Sequence, residues 1–401
     1  MIIKRPKYIE AITPFIGQPL VKVLSGVRRC GKSTIFDMLK EELLSSGIDK
    51  KCIITKTYTD MDIAQNITAK QMYDELVCVT KDNACSYLIL DEIQEISGWE
   101  KVVNSLLEKG NCDIYVTGSN SKLMSSEIST YLTGRYVQIP VYTLSFSEYL
   151  QFKSESKLTK RELLNEYIRF GGFPVVALNE YESNMAYQIV NGIYYTVVSR
   201  DIVNRHRIHK QELFDRVVRY VVENTGKTFS ANSISKFLKS ENRQLSNESI
   251  YNYLRWLEQA FIIYPCRRYD LQGKNILKTQ EKYYLADVSL KYALFGYNRN
   301  MLDAVMENIV YLELKRRGYD VYVGKLGSKE IDFVAILRDE KIYVQVCVQL
   351  PENSDRETEN LKDIPDNYPK YVVTLNDLDV GNDEGIKIVH LQDFLLTDRW
   401  I

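Results

Sequence analysis

The sequence predicts an α/β protein. A parallel sheet is followed by a helical connector with a winged helix, and then by a second α/β domain. Three observations carry this reading. The apolar run Leu20 to Leu24 leads into Gly26-Val27-Arg28-Arg29-Cys30-Gly31-Lys32-Ser33, and apolar residues then recur at helical spacing from Thr34 to Leu44. A second buried-strand run, Tyr87 to Leu90, ends in the adjacent carboxylates Asp91 and Glu92. From about residue 283 onward helix and strand signals alternate again, with acids spaced at Glu307, Glu330 and Asp332.

The first element matches the phosphate-binding pattern G-x-x-x-x-G-K-[ST] completely, with a strand before it and a helix after it. Glycines let backbone N–H groups close around phosphate oxygens, and the helix N-terminus adds a favourable dipole. Gly26, Arg29, Cys30, Gly31, Lys32, Ser33 and Thr34 are therefore the expected nucleotide-binding residues. Lys32 would reach the β- and γ-phosphates of ATP, and the Ser33 hydroxyl would help to hold Mg²⁺. The competing reading is a glycine turn with an accidental lysine, and the two flanks argue against it.

The acidic strand extends the same chemistry. Packing requires no acid at a strand end, whereas a P-loop ATPase needs one there to position Mg²⁺. Asp91 takes that place, and Glu92 is set to polarise an attacking water as general base. A strand with a solvated acidic end is the alternative; the preceding P-loop decides between them.

A third strand, Asp113 to Thr117, runs into Gly118-Ser119-Asn120-Ser121. In ATPases that insert a strand between the P-loop strand and the acidic strand, a polar residue here senses the γ-phosphate or orients the water. Asn120 and Ser119 are the candidates, against an equally weighted Asn/Ser turn closed by local hydrogen bonds. Arg135 precedes the strand Val137 to Val141. It is expected as a sensor arginine or as a finger reaching a neighbouring subunit's γ-phosphate. A structural pair with Glu148, or plain solvation, is the other reading.

Length and composition set bounds. The 401 residues imply two or three domains, because single cores stop growing near about 250–300 residues. A hydrophobic share of 45%, a charged share of 26% and a net charge of −1 describe an ordinary globular chain. The near-neutral total hides an uneven distribution. Arg200 to Lys282 carries 16 Lys/Arg against 9 Asp/Glu, and Pro351 to Ile401 carries 5 against 12. DNA is thus a candidate partner of the 200–282 segment, with solvated helix faces as the alternative origin of the excess. The seven cysteines form no C-x-x-C motif, which fits a reducing cytoplasm. No signal-peptide pattern and no apolar stretch of about 18 residues is present, so no membrane partner is expected. His206 and His209 lack companion ligands and read as surface polar residues.

Four segments follow. Residues 1–150 carry the nucleotide chemistry. Residues 151–210 read as a helical lid or connector, broken at Phe170-Gly171-Gly172-Phe173-Pro174. Residues 211–282 read as a winged helix, with one short helix from Phe229 to Leu238, a second from Ser246 to Glu258, and a strand from Phe261 to Arg268. In its DNA-binding form the second helix enters the major groove, with Asn247, Ser249, Asn252 and Arg255 partly outward. Residues 283–401 bear Glu307, Asp332 and Gln345 in the order of a metal-dependent nuclease of the PD-(D/E)XK kind. Gln345-Val346-Cys347 stands where such nucleases have Glu-x-Lys. A neutral amide is a poor Mg²⁺ ligand and a thiol does not replace an ammonium, so this site is expected to be degenerate.

Taken together, Gly26 to Ser33, Leu90 to Gln94, Gly118 to Ser121, Gly134-Arg135-Tyr136, Phe170 to Pro174 and Glu330 to Val334 resemble the bacterial and archaeal AAA+-type ATPases with a nuclease-like C-terminal half. The resemblance covers almost the whole chain. It implies an AAA+-like ATP-binding core, a winged helix and a restriction-endonuclease-like fold. It names no substrate. A nucleic-acid client, a protein client and a homo-oligomer all remain open. So do three activities: a motor or switch ATPase, a slow-turnover regulatory DNA-binding protein, and an active Mg²⁺-dependent nuclease.

Overall fold

The computed structural model describes residues 3–58, 67–81, 83, 85–119, 132, 134–273, 275–351, 356–398 and 400. The chain divides into two compact units, the first ending at Val141 and the second beginning at Tyr142, with Gln259–Phe261 grouped with the first.

In the first unit β1 (Val21–Ser25), β2 (Ile53–Thr57), β3 (Ser86–Asp91), β4 (Cys112–Gly118) and β5 (Tyr136–Pro140) form one sheet in the order β2-β3-β4-β1-β5. Every pairing in it is parallel. All residues of β1 and β4 are buried, as expected of central strands covered on both faces. The helices of this unit are α1 (Pro6–Ile12), α2 (Lys32–Ser45), α3 (Ala69–Thr80) and α4 (Trp99–Lys109). Thr68 and Gln71 form a capping box at the start of α3, and Gly110, at φ +75°, stops α4. Val103 and Leu106 of α4 and Met72 and Leu76 of α3 pack with Val21, Leu88, Ile114 and Val116 of the sheet. The strand order puts β4 between β1 and β3, the insertion expected from the sequence.

One charge pair lies inside this sheet. Lys22 of β1 bonds Asp113 of β4, their side chains 0% and 2% exposed. Lys22 Nζ also donates to Gln18 O at 3.0 Å, while Tyr115 Oη and Gly17 N donate to Asp113 Oδ2 at 2.6 and 2.8 Å.

The second unit begins with α5 (Phe146–Phe152), α6 (Lys160–Phe170), α7 (Pro174–Ala177) and α8 (Ser183–Thr196). Three further helices, α9 (Gln211–Glu223), α10 (Ala231–Ser240) and α11 (Asn247–Gln259), precede the hairpin of β6 (Ile263–Asp270) and β7 (Asn275–Leu285). After α12 (Ser289–Phe295) and α13 (Leu302–Arg316) come β8 (Asp320–Leu326), β9 (Lys329–Leu337), β10 (Glu340–Val346), α14 (Arg356–Lys362) and β11 (Lys370–Thr374). β12 (Gly381–Asp383), β13 (Ile386–His390) and α15 (Leu391–Leu396) finish the chain. The strands form one mixed sheet in the order β12-β13-β11-β10-β9-β8-β6-β7.

Two expected boundaries move. The break between residues 282 and 283 falls inside β7, and the hairpin beside the three helices is the edge of the same sheet that holds the acidic strands. The helices expected as a separate lid instead share an apolar core with that sheet: Phe146, Leu163, Tyr167 and Ile168 pack in one cluster with Tyr284, Ile309, Phe333 and Val344. Burial outweighs chain order here, since the apolar face of these helices packs on that sheet and on α13. The Phe170 to Pro174 breaker has a packing reason as well. Asp287, 2% exposed, accepts from Gly172 N at 2.8 Å, and a Cβ on Gly171 would lie 1.8 Å from its Oδ1.

Candidate functional site

The site forms at the carboxyl ends of the first unit's strands, where open parallel sheets place their ligands. β1 ends at Ser25 and the chain turns at Gly26, where a Cβ would stand 2.0 Å from Val141 O. No other residue fits that approach without moving β5. Arg29 and Gly31 have φ of +68° and +102°, and this left-handed pair curls the loop into the start of α2. Cys30 is fully buried, and burial pushes its thiol up, so it is a neutral filler. Its carbonyl accepts from Arg5 Nη1 at 2.9 Å, which braces the loop from below. Arg29, Ser33 and Thr34 are exposed.

Lys32 is 4% exposed and donates to two carbonyls of its own loop, Gly26 O at 2.9 Å and Val27 O at 3.2 Å. Ser33 Oγ donates to Asp91 Oδ2 at 2.7 Å, and the Thr117 hydroxyl bonds Asp91 Oδ1. Glu92, at φ +53° and 8% exposed, directs its N–H to Thr117 Oγ1 at 2.9 Å. Its Oε1 accepts from Ser119 Oγ at 2.6 Å, its Oε2 from Gln94 Nε2 at 2.6 Å, and Arg28 Nη2 lies 4.0 Å from Oε2. Burial alone would raise this carboxyl. The Lys32 charge, the Ser119 hydroxyl, Arg28 and Gln94 together outweigh it and hold it below the ordinary range. Glu92 is therefore ionised at neutral pH and able to accept a proton, once its present donors yield.

The Mg²⁺ implied by this chemistry fits the donor set. Ser33 Oγ and the Asp91 carboxylate are hard oxygens already in contact at the head of α2. The sequence also missed parts of the site. Arg5, Arg28, Gln94 and Thr117 all touch the loop or the acid pair, and only Thr117, at a strand end beside the acidic strand, carried a usable signal.

One expected residue stands elsewhere and another has no described position. Asn120 lies outside the described residues. Arg135 is at the opposite end of the sheet: its carbonyl accepts from Val21 N at the start of β1, five residues or roughly 15 Å from the loop. Its Nη2 donates to Asn104 Oδ1 at 2.7 Å and pairs with Glu108 at 3.3 Å, both on α4. This corrects the same-chain sensor role and the Glu148 pairing alike.

In the second unit α13, β9 and β10 bring Glu307, Asp332 and Gln345 together. Gln345 Oε1 accepts from Asp332 N at 3.2 Å and its Nε2 donates to Glu357 Oε2 at 2.7 Å. Val346 N donates to Asp332 Oδ2 at 2.9 Å. Burial pushes the Cys347 thiol up to about 12, so it is neutral and cannot supply the missing ammonium.

The basic middle segment is partly spent within the fold. Arg216 pairs with Glu241 at 2.5 Å, Arg243 with Glu212 at 2.8 Å, and Arg268, 15% exposed, with Glu330 at 3.6 Å. Arg255 and Arg267 remain on the surface. His206 stacks on Trp256 at 4.2 Å between ring centroids, which corrects its reading as a simple surface polar residue.

The AAA domain family matches residues 18–150, and a domain of unknown function (DUF8612) matches residues 161–300. An uncharacterised protein of Haemophilus influenzae is 38% identical over 400 residues, covering 98% of this chain and 99% of its own. The uncharacterised protein MJ1544 of Methanocaldococcus jannaschii is 32% identical, covering 93% of this chain and 85% of its own. Among solved structures, the Walker-type ATPase PABY2304 of Pyrococcus abyssi superposes with a TM-score of 0.51 at 13% identity, covering 74% of this chain and 96% of that one. At that identity the likeness concerns the fold. No helix among the described residues is long and apolar enough to cross a membrane.

Proposed function

Because the chain belongs to one family with these Haemophilus and Methanocaldococcus proteins and its residues 18–150 match the AAA domain family, we propose that it binds ATP with Mg²⁺ and hydrolyses it, coupling nucleotide state to a client. The observation that carries this reading is the contact of Ser33 with Asp91 beside a buried, ionised Glu92, all at the mouth of the Gly26 to Ser33 loop.

Gly26, Arg29, Cys30, Gly31, Lys32, Ser33 and Thr34 form the nucleotide cradle. The helix N-terminus and the backbone N–H groups hold phosphate oxygens, and Lys32 exchanges its loop carbonyls for the β/γ-phosphates. Ser33 and Asp91 would hold Mg²⁺, which would supply positive charge to offset that of the phosphates. Glu92 takes the proton of the attacking water, and Ser119 donates to that base at 2.6 Å.

A second reading, slow turnover with ATP setting conformation, is favoured by one feature. Glu92 already accepts from Ser119 and Gln94 and faces Arg28, so the base is engaged in the resting arrangement. The client is then a trigger that frees it. DNA is one candidate, through the exposed face of α11 with Asn252 and Arg255 and through Arg267. A protein client and a second copy of this chain are the others. ATP turnover measured with and without duplex DNA separates these cases. Stimulation supports a DNA-coupled ATPase, an unchanged slow rate supports the regulatory reading, and no turnover under any condition overturns hydrolysis.

A further inference from the structure

The PD-(D/E)XK resemblance of the second unit implies a divalent cation among Glu307, Asp332 and the position of Gln345. The residues present do not fit one. Lys282, on β7, reaches into this cluster with its side chain 4% exposed. Its Nζ lies 3.0 Å from Glu330 Oε1, 3.4 Å from Glu307 Oε2 and 3.5 Å from Asp332 Oδ1. Two strands, β6 and β8, lie between β7 and β9 in the sheet. Register breaks between Cys266 and Arg268 in β6 and between Tyr322 and Gly324 in β8 mark where bulges bend the strands. Such bends increase local twist and re-aim side chains, which accounts for a reach that a flat sheet would not allow.

We propose that Lys282 is a built-in counter-ion standing where a metal-dependent nuclease carries its divalent cation, so that this cluster takes up no metal. Each acid has a further partner. Tyr284 Oη donates to Glu307 Oε2 at 3.0 Å, Val346 N donates to Asp332 Oδ2 at 2.9 Å, and Arg268 Nη2 faces Glu330 Oε2 at 3.6 Å. Two cations, Lys282 and Arg268, thus stand among the three acids Glu307, Asp332 and Glu330. A divalent cation would need oxygen ligands at about 2.0–2.6 Å around a point where an ammonium already sits. Among the described residues no group of three or more His, Cys, Asp or Glu side chains is arranged to hold a metal ion.

The inference goes beyond ATP hydrolysis and stands or falls separately, because its test contains no nucleotide. Full-length protein is titrated with Mn²⁺, followed by electron paramagnetic resonance and by thermal melting, with the Asp332→Asn variant as reference. We expect the wild type to take up no Mn²⁺ that Asp332→Asn removes, and any shift of its melting temperature with the ion to be the same in Asp332→Asn. Lys282→Met leaves the carboxylates without their cation and should lower Tm by roughly 10 °C. The folded fraction should gain a Mn²⁺ site that raises Tm, and Asp332→Asn should abolish that gain. Asp332-dependent Mn²⁺ uptake by the wild type overturns the proposal. So does Mn²⁺-dependent DNA cleavage lost in Lys282→Met, which would make Lys282 the displaced catalytic ammonium. A folded Lys282→Met protein with unchanged Tm or no Mn²⁺ uptake also overturns it. Should that variant fail to fold, the wild-type arm alone still decides.

Discussion

Lys32 and Lys282 are both almost fully buried ammonium groups, yet their partners are of different kinds. Lys32 donates to two neutral carbonyls of its own loop, Gly26 O and Val27 O, and senses Glu92 only through space. Among the described residues no carboxylate meets its charge at contact distance, so an incoming anion gains a full electrostatic partner there. Lys282 contacts three acidic side chains, and these partners, Asp332 first, outweigh burial and push its ammonium pKa well up. Its charge has been used within the fold. One unit therefore keeps a cation available for a ligand, and the other has closed its acidic site with a cation of its own. A buried charge signals a binding site only when its compensation is missing.

Exchanging each residue should reveal this difference. Lys32→Ala should weaken ATP binding by about 100-fold, the scale of one charge-assisted bond removed from a phosphate. The fold should respond as well, by about 1–3 kcal/mol, because the two lost bonds are buried and leave the Gly26 and Val27 carbonyls without this donor. Nucleotide titration by fluorescence and melting without nucleotide measure both. Unchanged affinity in a folded protein would sink the assignment. Glu92→Gln should keep affinity and lower turnover by roughly 10²–10⁴-fold, since an amide fills the space but accepts no proton. Normal turnover in that variant would remove Glu92 as the base.

Asp113→Asn tests the closed kind of site inside the first unit. Lys22 and Asp113 compensate each other between β1 and β4, where neither meets solvent. Burial lowers the Lys22 pKa, and Asp113 opposes that shift. Removing one charge should cost about 3–5 kcal/mol, because the other remains buried and unpaired. Urea unfolding checks it; a loss below about 1 kcal/mol would show that the pair relaxes or hydrates.

The same contrast explains what could be read from the sequence. The open site was legible because its chemistry is local: Gly26 to Ser33 is contiguous, and Asp91 and Glu92 are adjacent at a strand end. The parallel sheet and the insertion of β4 follow from those segments. The supports were not legible. Arg5 reaches Cys30 across 25 positions, and Thr117 reaches Asp91 across 26. Lys282 was counted in a basic segment facing solvent, whereas the bends of β6 and β8 turn it inward. Nothing in its neighbourhood, Glu281-Lys282-Tyr283, distinguishes a buried lysine from an exposed one. The hairpin likewise read as a separate wing, since strand order within a sheet is set by non-local pairing.

The protonated state of Glu307 gives a smaller, pH-dependent effect. Its ordinary value is 4.5 and burial beside Asp332 raises it to about 8 in the folded chain. Between those values the folded state holds a proton that the unfolded state has released. Stability should therefore fall as pH rises through that window. Glu307→Gln keeps the neutral shape and should flatten the decline, compared as Tm at pH 5 and pH 8. An equal slope in both proteins would place the titration on another group.

The smallest effect is expected at Arg135, and it separates a brace from a catalytic arginine. The side chain is 38% exposed and its partner Glu108 is 59% exposed. An ion pair this open contributes about 0–1 kcal/mol, because water and salt screen it. Arg135→Ala should lower stability by no more than that, and it should leave ATP affinity and turnover unchanged, since the residue stands at the far end of β1 from the loop. The exception is an assembly in which it meets a neighbouring subunit. Mixing Arg135→Ala with Lys32→Ala protein tests this directly, because each supplies what the other lacks. Recovery of turnover in the mixture would make Arg135 a finger acting between copies; a full rate in Arg135→Ala alone leaves it a clasp between β5 and α4.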